Sequence, residues 1–578
     1  MVKLRESWLD GDQMRPWLRH YPARVRATLD YPDKPLGWLL EEAACRFPRR
    51  VACCYYSQQV SYDELLSRAR RFASVLMSEG LQPGDRVGVL LPNFPECLVT
   101  LFGVWMAGGV VVALSPLMVA AEVGSFVKST GCRIIVTIDL LLPLLWQCDP
   151  PPDVVLVLSL SSRLTPLERL GYAWVRFRRL GIGRNLCPGA KLRDFEEAVA
   201  GAREQSASIS IDSSAPAYIL PTGGTTGAPK AVLLAHRNLM ANAWQLSEWS
   251  PGEPGGETIL GVIPFFHSYG LTTCVMNGVV LGATIVMHHR FRPQSAVRLI
   301  ERHRPSALFA VPAMLTALNA QMRRKTRDDL SSLKVCMSGG APLPLPVAEE
   351  FTERTGCEVV EGYGLSEASP VTHSGPLDGT AIPGTVGLPV PDTDAAIVDA
   401  TNGTEMLPYG EIGELVIRGP QVMLGYWNDQ PATDRVLRDG WLHTGDLATC
   451  DERGFFRIVD RQKDLIITSG FNVYPADVEA VLRTYPGVRD VAVIGEPDDN
   501  VGELVKAIIV LEERTKLSRR DFDAFVQRSL SAQQRPKIVE TRTGDLPRNF
   551  LGKVLRRELR DAPRTGWRRG GPEKATSG

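Results

Sequence analysis

The stretch from Tyr218 to Val232 reads Y-I-L-P-T-G-G-T-T-G-A-P-K-A-V. Gly223, Gly224 and Gly227 let backbone N–H groups approach an anion closely, and Thr222, Thr225 and Thr226 add hydroxyl donors. Lys230 supplies a mobile positive charge suited to a polyphosphate. It follows Pro229 and precedes Ala231, so the pattern G-x-x-x-x-G-K-[ST] is not met. Taken alone, the stretch is equally a Gly/Thr-rich surface turn.

Further loops along the chain carry residue types that complete such chemistry. P-F-F-H-S-Y-G from Pro264 sets His267 among aromatics after the apolar run Ile259 to Ile263. S-G-G-A-P-L from Ser338 contains Gly339, Gly340 and Ala341. V-V-E-G-Y-G-L-S-E-A-S-P from Val359 places Tyr363, a ring able to stack on a base, beside Gly364, Ser366 and Glu367. The last two can hydrogen-bond phosphate and ligate Mg²⁺. G-W-L-H-T-G-D from Gly440 ends in Asp446, read here as an acid in a tight turn and suited to ribose hydroxyls. L-P-R-N-F-L-G-K-V from Leu546 presents Lys553. A lone histidine is more often structural, and a lone lysine more often a solvated surface charge.

The elements that must position these loops alternate. Val51 to Tyr56 reads as a strand, and Ser61 N-caps a helix running to about Gly80. Asp85 to Leu91 and Cys132 to Asp139 read as further strands. Strands alternating with helices predict an α/β fold with mostly parallel, doubly wound sheets. The four loops, Thr222 to Lys230, from Pro264, from Ser338 and within Val359 to Pro370, each lie at a strand end, which predicts one nucleotide site at the carboxyl edge of a sheet. Gly410 to Tyr426 reads as a β-rich subdomain. Phe455 to Asp464 reads as a strand running into a charged link. Beyond it helix Pro475–Tyr485, strands Val491–Gly495 and Leu504–Leu511, and helix Ser518–Leu530 make a smaller α+β unit.

A chain of 578 residues is too long for one core. Lys+Arg equals Asp+Glu at 65 each, so no global basic field points to nucleic acid. The eleven cysteines show no C-x-x-C pair, which fits a reduced, cytoplasmic protein better than a disulfide framework or zinc site. Met1 to Asp10 carries charges where a signal peptide needs an apolar core. Leu98–Ala121 and Thr258–His289 lack charged residues, but Gly108-Gly109 and Pro116 interrupt the first and Pro264, His267 and Asn277 the second. Both read as the interior of a large α/β domain. Thr165 to Arg184 gathers Leu167, Leu170, Trp174, Phe177 and Leu180 on one helical face with Arg169, Arg176 and Arg179 beside it. Such a segment can lie in a membrane interface, here as peripheral contact on the inner face, or equally dock on its own protein.

Together these motifs resemble the adenylate-forming superfamily of acyl- and aryl-CoA synthetases, and within it the bacterial long-chain fatty acid–CoA ligases. The resemblance runs from about Arg15 to Leu559, interrupted mainly around Pro150 to Ser208. It implies a fatty acid–CoA ligase using ATP, Mg²⁺ and coenzyme A on medium- to long-chain fatty acids. It implies that Thr222, Gly223, Gly224, Thr225, Thr226, Gly227 and Lys230 embrace the ATP phosphates. Tyr363 would stack on adenine beside Gly339, Gly340, Ala341 and Gly364. Ser366 would contact phosphate, Glu367 would ligate Mg²⁺, and Asp446 and Arg461 would hold the ribose. His267 would line the path between acyl and thiol sites. Lys463 would be the hinge, Lys553 the catalytic lysine of adenylation, and the loop with Gly470 part of the thiol tunnel.

The implied division is a large domain at 1–459, a hinge at 460–464, a mobile α+β domain at 465–561 and a disordered tail at 562–578. A homodimer is compatible with the sequence. Gly223, Ala231 and Leu551 depart from the usual pattern, yet none removes a charge; Leu271 stands where some long-chain members carry an aromatic gate. Two other readings are a fatty acyl-AMP ligase that loads a carrier protein and a non-catalytic adenylate-binding homologue. The compact run from Asp446 to Gly470 favours CoA over a carrier. Joint retention of Glu367, Asp446, Arg461 and Lys553 favours catalysis.

Overall fold

The computed structural model describes residues 15–159, 171, 172, 174, 189–204, 209–222, 230–324, 329–469, 471–498, 501–513, 515, 517–549, 552–562 and the backbone of 567 and 568. The chain divides into two compact units. One holds residues 17–394 and 418–442, the other 1–16, 395–417 and 443–578.

The larger unit is built on two sheets. The nine-stranded sheet runs in the order Leu388–Pro389, Val371–Ser374, Val359–Gly364, Val335–Ser338, Ala307–Ala310, Thr258–Gly261, Thr284–Met287, Val51–Tyr55, Gln58–Ser61. Its six inner strands are parallel and its edges antiparallel. The eight-stranded sheet runs Gly425–Tyr426, Lys230–Ala235, Pro216–Thr222, Val110–Ala113, Arg86–Leu90, Ile134–Ile138, Val154–Leu158, Lys191–Asp194. Here too the central pairs are parallel, so both faces are covered and the strands read as continuous apolar runs.

The helix Pro95–Met106 lies between these sheets, packing on Val51–Tyr55 of one and on Arg86–Leu90 and Val110–Ala113 of the other. That explains why residues 95–105 are all buried and why the sequence around it mimics a membrane span. Each buried Leu, Val or Phe there contributes roughly 1.5–3 kcal/mol. Trp105 adds its indole N–H to Ala217 O at 3.0 Å. A Cβ on Gly103 would meet Phe72 at 2.7 Å, so only glycine lets this helix approach Tyr62–Ser78. Ser61 caps the latter as expected, accepting from Glu64 N at 3.2 Å. Among the described residues no helix is long and apolar enough to cross a membrane.

The smaller unit carries a sheet with strands Asp394–Val398, Gly413–Arg418, Trp441–Cys450 and Phe456–Arg461. Two expectations are corrected here. The stretch Gly410–Tyr426 is not one subdomain: Gly413–Arg418 joins this sheet, whereas Gly425–Tyr426 pairs with Lys230–Ala235 of the eight-stranded sheet. Asp446 is not in a tight turn: it lies inside the ten-residue strand Trp441–Cys450, one residue after Gly445 at φ 67°.

The second sheet of this unit is six-stranded, and its long strands Val488–Asp498 and Gly502–Leu511 pair antiparallel. Alternation along Gly502–Leu511 sends Val505, Ala507 and Ile509 to one core under the helices Pro475–Arg483 and Arg519–Ser529. Ile508 and Val510 face the other way, onto Ala492, Ile494, Leu546 and Leu559. The chain segment that carries Lys553 therefore closes the second face of the sheet. Of Thr165–Arg184 only Gly171, Tyr172 and Trp174 are described; Tyr172 donates its hydroxyl to Asp139, while Trp174 is exposed.

Candidate active site

In the larger unit the strands Pro216–Thr222 and Lys230–Ala235 form an antiparallel hairpin with Thr222 opposite Lys230. Thr222 Oγ1 donates to Lys230 O at 3.3 Å, which holds the two ends of the loop together. Gly223, Gly224, Thr225, Thr226 and Gly227 lie outside the described residues. Lys230 Nζ stands 4.6 Å from the ring centroid of Tyr426, a cation–π contact. The Tyr426 hydroxyl in turn donates to Glu367 Oε1 at 2.9 Å. Burial and the neighbouring carboxylate push that hydroxyl's pKa up, so it stays a donor.

Lys230 and Glu367, far apart in sequence, are thus linked through one tyrosine. Sequence reasoning missed Tyr426, because only the pairing of Tyr426 with Val232 brings it there. Among the described residues no three His, Cys, Asp or Glu cluster into a metal cage. A single oriented carboxylate nevertheless fits Mg²⁺, which keeps several waters and takes its other ligands from phosphates. Glu367 is the residue that would hold it.

Tyr363 is the penultimate residue of the strand Val359–Gly364, opposite His373, with the two rings edge to face at 5.8 Å. The adjacent parallel strand Val335–Ser338 leads into Gly339, Gly340 and Ala341. Gly340 has φ 80°, and a Cβ on Gly339 would press on Gly362 O at 3.3 Å. Leu343 N donates to Glu361 Oε2 at 3.2 Å, pinning that loop beside the strand that carries Tyr363. A Cβ on Gly364 would run into Pro370 O, so the turn after Tyr363 requires glycine.

Ser366 Oγ lies 3.4 Å from Ser268 Oγ, which ties the loop of Glu367 to the loop of His267. His267 Nδ1 accepts from Tyr269 N at 3.2 Å. Burial lowers its pKa to about 4, so the ring is neutral at physiological pH. The segment after it, Leu271–Met276, is a fully buried π-helix, and Leu271 itself is 0% exposed. The structure thus groups Thr222, Lys230, His267, Gly339, Gly340, Ala341, Tyr363, Gly364, Ser366 and Glu367 on neighbouring loops of one unit.

In the smaller unit Asp446 and Arg461 are cross-strand partners and form an ion pair at 3.1 Å. Glu414 accepts from Gly445 N at 3.0 Å and from His443 Nδ1 at 2.9 Å. Thr444 Oγ1 donates to Leu415 O at 2.7 Å, so the backbone before Asp446 is held on two sides. Lys553 follows a turn in which Gly552 has φ 81° and Asn549 Oδ1 accepts from Lys553 N at 2.9 Å. Its ammonium lies in the electrostatic reach of Arg461, Asp446, Lys463 and Asp464. Burial, aided by Arg461 and Lys463, outweighs the acids and lowers its pKa to about 8. The pKa of Lys463 is also lowered, by desolvation of its ammonium and then by Arg461. Gly470 lies outside the described residues.

The Lys553 shift has a sign that can be tested. If the ammonium is the working form, kcat/KM for acid-dependent pyrophosphate release is flat at low pH. It then falls tenfold per pH unit above about 8. An unperturbed lysine would hold activity to ~10.4. A pH–rate profile from 6 to 10 reads this limb, and a limb near 10 would refute the lowered pKa of Lys553.

Residues 40–427 match the family model described as AMP-binding enzyme, and residues 477–553 match the AMP-binding enzyme C-terminal domain. The chain belongs to the AMP-binding enzyme family. It is 38% identical over 550 residues to a long-chain-fatty-acid–CoA ligase of Bacillus subtilis (strain 168), covering 94% of this chain and 97% of that protein. It is 36% identical over 561 residues to a protein of the same name from Salmonella typhi, covering 95% and 98%. Among solved structures, ATP-bound MatB from Rhodopseudomonas palustris aligns at TM-score 0.78 and 30% identity over 91% of this chain and 99% of that one. The o-succinylbenzoate coenzyme A synthetase of Bacillus subtilis in complex with ATP and magnesium ion aligns at TM-score 0.74 and 26% identity, over 92% and 100%.

Proposed function

We propose that this enzyme activates a medium- to long-chain fatty acid with ATP and transfers the acyl group to coenzyme A. The observation that carries the reading is the grouping of Lys553 with Asp446 and Arg461: a lysine over 90 residues downstream stands beside the ribose pair that the resemblance assigns. The sequence relatives support the fatty acid and the CoA thiol. In the first step a carboxylate oxygen attacks the α-phosphorus of ATP, the bond to the β,γ-phosphates breaks, and acyl-AMP and pyrophosphate form. Both reactants are anions, so the step needs fixed positive charge. Lys553 bridges carboxylate and phosphate oxygens. Lys230 and the loop Thr222 to Gly227 hold the leaving phosphates, with Ser366 donating to phosphate.

Mg²⁺ at Glu367 would supply charge neutralisation on the phosphates. Tyr363 stacks on adenine against Gly339, Gly340, Ala341 and Gly364, and Asp446 and Arg461 hold the ribose. In the second step the CoA sulfur attacks the acyl carbon, the C–O bond to AMP breaks, and the thiol proton passes to solvent. His267, uncharged, and the loop with Gly470 line the thiol's approach. One site cannot present Lys553 and a thiol tunnel together. The domain at 465–561 therefore turns about Lys463 within the hinge 460–464, which also keeps water from the adenylate.

The test is a panel of acids of increasing chain length, with CoA, with a phosphopantetheinylated carrier protein, or with neither, following AMP, pyrophosphate and thioester together. The reading expects CoA-dependent thioester that rises toward medium and long chains. Thioester on the carrier alone would replace CoA as acceptor. Peripheral membrane contact through Thr165–Arg184 is part of the proposal, since its basic and aromatic residues suit an anionic bilayer. Deleting the segment should abolish binding to phosphatidylglycerol vesicles while leaving activity on a soluble short acid; unchanged binding rejects the contact.

A further inference from the structure

Around the hinge lies a buried cluster of charge that the mechanism above does not use. Asp460, Asp464 and Glu479 have side chains 3%, 7% and 8% exposed. They share one guanidinium: Arg556 reaches Glu479 at 2.8 Å, Asp464 at 3.3 Å and Asp460 at 3.6 Å. Arg560 adds a second bond to Asp464 at 2.9 Å. Arg556 and Arg560 belong to the helix that begins three residues after Lys553.

The members stand on opposite sides of Lys463. Asp460 is on the strand Phe456–Arg461, opposite Leu447 and one residue from Arg461, so it is fixed to the sheet that carries Asp446. Ala476, Glu479 and Arg556 all lie beyond Lys463. Asp460 Oδ2 accepts from Ala476 N at 2.9 Å, at the start of the helix Pro475–Arg483. A turn of the C-terminal segment about Lys463 pulls Ala476 and Arg556 away from Asp460, but carries Asp464, Glu479 and Arg556 together. The contacts of Asp460 are therefore specific to the arrangement that sets Lys553 beside Asp446 and Arg461.

We propose that Asp460 is a latch: through Ala476 N and Arg556 it positions Lys553 for adenylation and is released before thioester formation. The inference rests on the two-step reading given above. Asp460 is a positioning residue, remote from the reacting atoms.

The test is Asp460→Asn, with Arg556→Lys as the second variant, each compared with wild type and Lys553→Ala in the two half-reactions. Asp460→Asn retains size but removes the charge that faces Arg556. Acid-dependent pyrophosphate release is expected to fall by about tenfold, the weight of a charge-assisted hydrogen bond. Thioester formation from supplied acyl-AMP is expected to hold or rise, because release no longer has to break the latch. Damage to the fold alone would lower both rates together, and thermal denaturation reports it separately. Should Asp460→Asn not fold, Arg556→Lys, which keeps the charge and loses the fork, decides by the same split. Equal loss in both half-reactions, or no loss, overturns the latch if Lys553→Ala still separates them. If Lys553→Ala fails to separate them, the two-step roles fall first.

Discussion

Replacing Lys553 by alanine is expected to lower acid-dependent pyrophosphate release by about 10²–10³-fold, the range seen when one preorganised charge or donor is removed from a transition state. Thioester formation from supplied acyl-AMP is expected to stay within about twofold of wild type, because the atom attacked there is the acyl carbon and not the α-phosphorus at which Lys553 is assigned its role. The asymmetry follows from the surroundings of Lys553. It is half-buried beside Arg461 and Lys463 as well as Asp446 and Asp464, so its charge is only partly balanced until a carboxylate and phosphates arrive. The measurement is the pair of half-reactions on one preparation. Equal loss in both would remove Lys553 from the role assigned to it.

The second large effect is expected at Glu367. Glu367→Gln keeps an acceptor for the Tyr426 hydroxyl, now at 2.9 Å from Oε1, but deletes the negative charge. Adenylation should fall by about 10²-fold and the half-saturating Mg²⁺ concentration should rise about tenfold. Tyr426→Phe leaves the charge and removes only its orienting bond, so it should move the Mg²⁺ requirement less. The readout is a Mg²⁺ titration of pyrophosphate release at saturating ATP and acid. An unchanged titration in Glu367→Gln would place the metal elsewhere.

Much of the fold was legible because its signals are local. Ser61 announces a helix through its spacing to Glu64, and strands alternating with helices announce mostly parallel sheets. Charge-free stretches that pass a membrane length filter were read as interior from their glycines, prolines and His267, and helix Pro95–Met106 lies between two sheets.

What was illegible depends on strand pairing across long separations. Tyr426 reaches Lys230 and Glu367 only because a two-residue strand pairs with Lys230–Ala235. Asp446 looked like a turn residue because Thr-Gly-Asp is turn chemistry; the pairing of Trp441–Cys450 with Phe456–Arg461 overrides that preference. The Asp460, Asp464, Glu479 and Arg556 cluster reads in the sequence as ordinary charged link and helix, and only tertiary packing buries it. The residues that resemblance assigned by type gain physical content the same way. The lowered pKa of Lys553, for example, comes from burial, and then from Arg461 92 residues upstream.

Adenylation and thiol transfer are expected to be separate steps on one enzyme. A rapid-quench experiment with ATP, Mg²⁺ and a long-chain acid, first without CoA, tests it most directly. The expected result is a burst of pyrophosphate stoichiometric with enzyme, acyl-AMP retained on the protein, and AMP released with thioester only when CoA is added. Release of AMP and pyrophosphate together at one steady rate without CoA, or independent of the acid, would contradict it.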